Sequence, residues 1–211
     1  MADRETRKQE LTARRKAQIL AAALEVFAQK GYAAATIPEI ARKAELAPGT
    51  IYLYFPNKRE LFIKVIESLL VSPLLNIFEK SPTNNFPSVF EAALENRLEF
   101  MGGDFSNKLM PLMSEILRDP ELKSYFVQTL IQPLFKRMSQ IFGAQIYSGL
   151  FREIDPELIV RLVGGMMIGI NLIRSMEGES SPFSKLTREQ TTREIRNFIL
   201  HGVFKEGLSE F

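Results

Sequence analysis

The sequence predicts an all-α protein, and three observations carry that prediction. Apolar residues recur at helical spacing, as Leu20, Ala23, Leu24 and Phe27 do at i, i+3, i+4 and i+7. Helix-start signatures are frequent: Thr36 with Glu39, Asn57 with Glu60, Thr187 with Gln190, and the tetrapeptide DPEL at both Asp119 and Asp155. Strand signals do not recur.

In chain order, residues 1–13 read as a mobile basic arm. "RRKAQILAAALEVFAQKG" then gives one amphipathic helix, with Gly31 placed for a left-handed C-terminal cap. "TIPEIARKA" opens with a T-x-x-E capping box at Thr36 and Glu39 and has a short apolar face of Ile40, Ala41 and Ala44. "LAPGT" starts another helix, because Pro48 suits a first helical position where no N–H is needed. Asn57 caps "KRELFIKVIESLL", Pro73 ends or kinks it, and "KSPTNNFP" is a turn-rich linker. Further helices are expected over about Ser88–Met101 and Asn107–Leu117, after each DPEL, and from Thr187 to about Phe204.

Composition narrows the chemistry. The 211 residues are 45% hydrophobic and 25% charged, with no cysteine and a single histidine, His201. Disulfides and thiolate chemistry are excluded, and a histidine metal site is disfavoured. There is no G-x-S-x-G, P-loop or glycine-rich dinucleotide turn. The expectation is a non-enzyme without metal or cofactor. The charged N-terminus is no signal peptide, and the longest apolar run, Leu158–Ile173, contains Arg161 and is shorter than the ~20 residues of a membrane span. A soluble, cytoplasmic protein with no membrane partner is expected.

Charge is uneven. Residues 1–60 hold 11 Lys+Arg against 7 Asp+Glu, and the remainder 16 against 18, so net charges of +4 and −2 lie behind the overall +2. A small basic head suggests a polyanion partner.

"PGTIYLYFPNK", Pro48–Lys58, sharpens that suggestion. At 100° per residue Ile51 and Phe55 point into the head, Gly49, Thr50 and Leu53 lie opposite, and Tyr52 and Tyr54 flank them. Two helices joined by a short turn form a helix-turn-helix, whose second helix enters the major groove. Thr50, Leu53 and a tyrosine edge suit thymine methyls; the tyrosine hydroxyls and Lys58 suit phosphate. From the residues alone, a tyrosine-rich face equally fits a core or a protein interface.

Ile19 to Phe62, "ILAAALEVFAQKGYAAATIPEIARKAELAPGTIYLYFPNKRELF", strongly resembles the DNA-binding head of TetR-family transcriptional regulators. The resemblance rests on the Phe-x-x-x-Gly end of the first helix, Thr before Ile-x-x-Ile-Ala, Gly-Thr-Ile-Tyr-x-Tyr-Phe, and Asn-Lys-x-x-Leu. It implies a helix-turn-helix DNA-binding domain over 1–56 and a helical effector-binding and dimerisation domain over 57–211. It implies DNA contacts at Thr36, Pro48, Gly49, Thr50, Tyr52, Leu53, Tyr54 and Lys58, a homodimer on a palindromic double-stranded operator, and a repressor released by a small effector. The chain departs from the pattern at Glu45, where a glycine usually makes the turn, and at Ala47, where a serine commonly caps the recognition helix.

In the body, Gly165 and Gly169 within an apolar run, with Ile195, Phe198 and Ile199 as a stripe near the C-terminus, suggest a dimer interface. Met101, Met110, Met113, Phe126, Phe142, Met166 and Met167 suit either a core or the lining of a pocket for a hydrophobic effector, with Arg97, Asn171 and Arg174 as polar candidates. An alternative is a dimer acting mainly through a protein partner, with DNA as a tether.

Overall fold

The computed structural model describes residues 2–80, 85–104 and 109–203, and among them every regular element is helical. Among the described residues eleven α-helices follow one another: α1 (Ala2–Ala34), α2 (Ile37–Lys43), α3 (Pro48–Tyr52), α4 (Lys58–Leu70), α5 (Ser72–Lys80), α6 (Phe86–Asp104), α7 (Met110–Arg118), α8 (Pro120–Phe126), α9 (Gln132–Tyr147), α10 (Pro156–Glu177) and α11 (Arg188–Val203). They fall into two compact units, Met1–Ser72 with Asn107–Phe126, and Pro73–Ser106 with Val127–Phe211. The first unit is larger than the segment 1–56, because α4, α7 and α8 share its core.

The capping signatures act as the sequence predicts. Asn57 Oδ1 accepts the Glu60 amide at 2.8 Å. Asp119 Oδ1 accepts the amides of Glu121 and Leu122 at 2.9 and 3.0 Å, and Asp155 Oδ1 that of Glu157 at 2.8 Å. Thr187 and Gln190 exchange both bonds of a capping box. Residues 2–13 are helical and continue α1; their Arg, Lys and Gln are good helix formers and the helix needs no tertiary face there. Gly31 breaks α1 at φ 77° and ψ 169°, a region only glycine occupies readily.

Pro111 and Pro133 both fall in helical segments. Each is the second residue of its helix, α7 and α9; α9 continues the turn before it on helical backbone, Ile131 having φ −71° and ψ −48°, so Pro133 sits within a helical run whose local widening accommodates the missing N–H. A π-helical turn, Val127–Ile131, precedes α9.

In the first unit, Ile19, Ala23 and Phe27 of α1 are buried, as are Ile40, Ile51, Leu61, Phe62 and Ile66, and Leu112 and Ile116 of α7, which packs on α1. The Phe27 and Phe62 rings meet edge-on at 5.0 Å. The second unit is built around five phenylalanines. Phe142 has Phe78, Phe86, Phe90 and Phe151 around it at centroid distances of 5.7 to 6.4 Å. Glu91 of α6 and Arg196 of α11 form an ion pair in this unit. Within α10, Pro156–Arg174 has a mean hydropathy of 1.5 and is long and apolar enough to cross a bilayer. That holds by length and composition only, a test that the core helix of a soluble protein also passes.

Candidate nucleic-acid interface

The site is built on α2, a turn and α3. Thr36 caps α2: its hydroxyl accepts the Glu39 amide at 3.4 Å and donates to Glu39 Oε2 at 2.9 Å, while the Thr36 amide donates to the same carboxylate at 3.1 Å. Lys30 also pairs with that carboxylate. These bonds, from Lys30 first and then Thr36, hold the Glu39 pKa below the ordinary glutamate value. Ile37, Ile40 and Ala41 anchor α2 in the core.

The turn closes through Leu46 N to Ala41 O at 2.8 Å, and Gln18 Nε2 of α1 donates to Ala44 O at 2.6 Å. Glu45 carries φ 54°, left-handed backbone that a glycine adopts without strain. The sequence departure therefore falls on the residue that makes the turn. Ala47 has the extended backbone of an N-cap but no side-chain cap, so α3 starts on Pro48 alone.

The faces of α3 separate as the helical wheel predicts. Ile51 and Phe55 are buried, whereas Leu53 is 81% and Tyr52 52% exposed. Pro48 and Gly49 are exposed, and Thr50 and Tyr54 half-buried. A Cβ on Gly49 would meet nothing within 4 Å, so packing inside the chain does not require glycine there. Pro48, Gly49, Thr50, Tyr52, Leu53 and Tyr54 thus lie on or just after one short element whose exposed apolar surface has no occupant from the described residues, and Thr36 stands at the start of the helix before it.

Lys58 is placed differently. Its Nζ donates to the carbonyls of Tyr32, Ala33 and Ala35 at 2.9, 3.2 and 3.0 Å and stands 4.6 Å from the Tyr32 ring centroid. Three donors meet three acceptors, and none is left over for a phosphate in this arrangement. Sequence reasoning missed this role; the carbonyls lie 23 to 26 residues away and no local pattern announces them. Burial raises the pKa of the neighbouring Tyr32 phenol, with Arg59 opposing and Asp119 adding to the shift.

Against this geometry, the family profile "Bacterial regulatory proteins, tetR family" matches residues 19–65. The uncharacterized HTH-type transcriptional regulator YhgD of Bacillus subtilis is 31% identical over 179 residues, covering 82% of this chain and 90% of the relative. The chain belongs to the TetR family. The fatty acid metabolism regulator protein of the same organism is 46% identical over 154 residues, 72% of this chain and 77% of that protein. A solved structure described as FadR from Bacillus subtilis in complex with stearoyl-CoA shares the fold, with a TM-score of 0.62, 20% identity, and coverage of 86% of this chain and 96% of that one. The chain is accordingly a DNA-binding transcriptional regulator, and the TetR-family relatives it resembles are regulators rather than enzymes.

The regulator's remaining predicted residues divide between the two units. Met110, Met113 and Phe126 belong to the first; Arg97, Phe142 and Met167 belong to the second. Phe126, Phe142 and Met167 are buried, as core residues would be. Met110, Met113, Met166 and Arg174 are half-buried. The side chains of Met101 and Asn171 lie outside the described residues. Burial lowers the Arg97 pKa to about 10; its guanidinium donates to Asn96 Oδ1 at 2.7 Å and lies 5.3 Å from the Phe100 ring.

Two of the predicted interface residues need correction. Ile195 and Ile199 are buried within the chain, while Phe198 is 73% exposed. Residues four apart share a helix face, and here that face packs on α6. The sequence reading also missed most of an exposed seam on α10. Leu158, Leu162, Gly165, Gly169, Leu172 and Met176 follow 4-3-4-3-4 spacing, and the four with side chains are all exposed. That is the heptad spacing of a helix-pairing face, readable in the sequence once the run is scored at period 3.5. A Cβ at Gly165 or Gly169 would meet nothing within 4 Å.

Proposed function

We propose that the regulator is a homodimeric repressor that reads a palindromic operator with α3 and is released by a hydrophobic, acidic effector. The observation that carries the DNA reading is the division of Pro48–Phe55, α3 and the turn that follows it, into a buried Ile51/Phe55 face and an exposed Gly49, Tyr52, Leu53 face. Thr50, Leu53 and the tyrosines offer methyl contacts and hydroxyl donors without a base-reading arginine, which suits thymine-containing steps in a major groove. Two such helices read half-sites about 34 Å apart.

The α10 seam supports the dimer. Its two glycines let a second backbone approach, and a two-fold pairing would cover the same stripe on both copies. We read α10 as this face rather than as a membrane span. Arg161, near the start of the apolar stretch, is solvent-exposed and pairs with Glu157 at 3.1 Å while its guanidinium lies 5.2 Å from the Phe135 ring.

An acyl effector is supported by the names of the relatives, one a fatty acid metabolism regulator and one solved with stearoyl-CoA. Arg97, desolvated by burial, would gain from an acidic head group. A coupling of about 1–3 kcal/mol would weaken operator binding ~5–150-fold. Among the described residues outside the α3 segment, α10 and α11, the exposed large apolar residues Leu11, Leu117, Val127, Tyr147 and Leu186 are scattered over five separate segments, so none of them favours the protein-partner reading.

The test is fluorescence anisotropy with DNA from upstream of the regulator's own gene against a scrambled duplex, at low and near-physiological salt, followed by titration with stearoyl-CoA. Sequence-selective binding that survives salt and is reversed by the acyl-CoA is expected. Binding indifferent to sequence would overturn the operator reading; selective binding unmoved by acyl-CoA would overturn the effector reading.

A further inference from the structure

The helix-turn-helix occupies Thr36 to Asn57, and the residues on either side of it, Ala35 and Lys58, are joined by a hydrogen bond of 3.0 Å. We propose that Lys58 is a positioning residue: its ammonium closes the helix-turn-helix into a ring by gathering the carbonyls of Tyr32, Ala33 and Ala35, and it does not serve as a phosphate ligand. The proposal rests on the operator-binding reading for its consequence, though the closure itself is independent of DNA.

The geometry is specific to an ammonium. Gly31 breaks α1 and leaves the carbonyls of the following residues without a continuing helix to accept from. Three of them converge on one Nζ at 2.9 to 3.2 Å, with the Tyr32 ring as a fourth neighbour at 4.6 Å. A cation at the carbonyl end of a helix is also favoured by the helix dipole. The Tyr32 ring is itself held against Phe62 of α4 at 4.7 Å, so the clamp ties the end of α1 to the helix that carries Lys58. The recognition helix lies inside the closed segment, and its angle to α1 is then set from both ends. A planar guanidinium presents its donors in a divergent fork and cannot satisfy three converging carbonyls from one point.

Lys58→Met and Lys58→Arg separate this role from phosphate binding. Without DNA, hydrogen exchange of the full chain is expected to speed up about tenfold or more at the amides of residues 32–36 in both variants. With a duplex selected by the wild-type chain from a random pool, both variants are expected to lose at least about fivefold in preference over scrambled DNA, well below their melting temperature, as a displaced recognition helix would. The slope of log K against log salt is expected to stay at the wild-type value. A phosphate ligand behaves oppositely. Lys58→Met would lower the slope by about 1.8, two phosphates per dimer, and Lys58→Arg would bind as well as wild type. Unchanged exchange, a reduced slope, or rescue by arginine each overturns the proposal. Where Lys58→Met does not fold, Lys58→Arg carries the exchange and preference readouts. If no duplex is selected, the operator reading fails while the exchange result still decides the clamp.

Discussion

Glu115 of α7 holds its Oε1 2.9 Å from the place a Cβ on Gly31 would occupy. Gly31 is thus fixed twice, by its positive φ and by a carboxylate from 84 positions further along the chain. Gly31→Ala is expected to cost about 1–3 kcal/mol and to lower Tm by several degrees in a thermal melt. Adding Glu115→Ala would relieve the contact and leave the backbone strain, so only part of the loss should return.

Glu45→Gly is expected to stabilise. The left-handed backbone at φ 54° costs a non-glycine residue about 1–2 kcal/mol, and the added freedom of glycine in the unfolded chain offsets part of that, leaving a net gain of about 0.5–1 kcal/mol. Thermal melting checks it; a fall in Tm would mean that Glu45 makes a contact that matters more than its strain.

Ala47→Ser should supply the missing cap of α3. Ala47 already has extended N-cap backbone, so a serine hydroxyl there would reach the free amides of the first turn. About 1 kcal/mol is expected, together with tighter operator binding if a frayed α3 limits affinity. Melting and anisotropy measured on the same variant separate the two.

The capping box predicts a pH effect with a definite sign. Glu39 has a folded pKa below its unfolded one because Lys30 and Thr36 hold its ionised form. Its contribution is complete above the ordinary glutamate pKa and is lost as pH falls through the lowered folded value. Glu39→Gln should therefore flatten the acid limb of the melting profile while leaving its neutral and alkaline limbs parallel to wild type.

The α10 seam and the α11 stripe should respond differently to charge. Leu162→Arg is expected to give a folded monomer by light scattering, because Leu162 is exposed within one chain. Ile199→Arg should unfold the second unit instead, since Ile199 is buried and an unpaired cation there is costly. A Leu162→Arg protein that remains dimeric would remove α10 from the interface.

The sequence announced what depends on neighbours in the chain. Thr36, Asn57, Asp119, Asp155 and Thr187 each cap a helix because the cap and its partner lie within three residues. The buried face of α3 followed from a 100° turn, and the Glu45 departure marked the strained turn residue. Long-range choices were not legible. Nothing near Lys58 in the chain shows that carbonyls around Ala35 will claim its ammonium. Ile195, Phe198 and Ile199 look alike as an apolar stripe until α6 covers two of them. The same ambiguity hid whether Phe142 lined a pocket or a core.

That last residue has a practical consequence. The chain has no tryptophan, and its five tyrosines are Tyr32, Tyr52, Tyr54, Tyr125 and Tyr147. Four of them belong to the first compact unit, and the ring cluster around Phe142 contains only phenylalanine. Intrinsic emission therefore watches the DNA-reading half and is almost blind to the body. Any event among the phenylalanines passes without a native optical signal, and a tryptophan introduced beside them would be a lone lamp in a dark room.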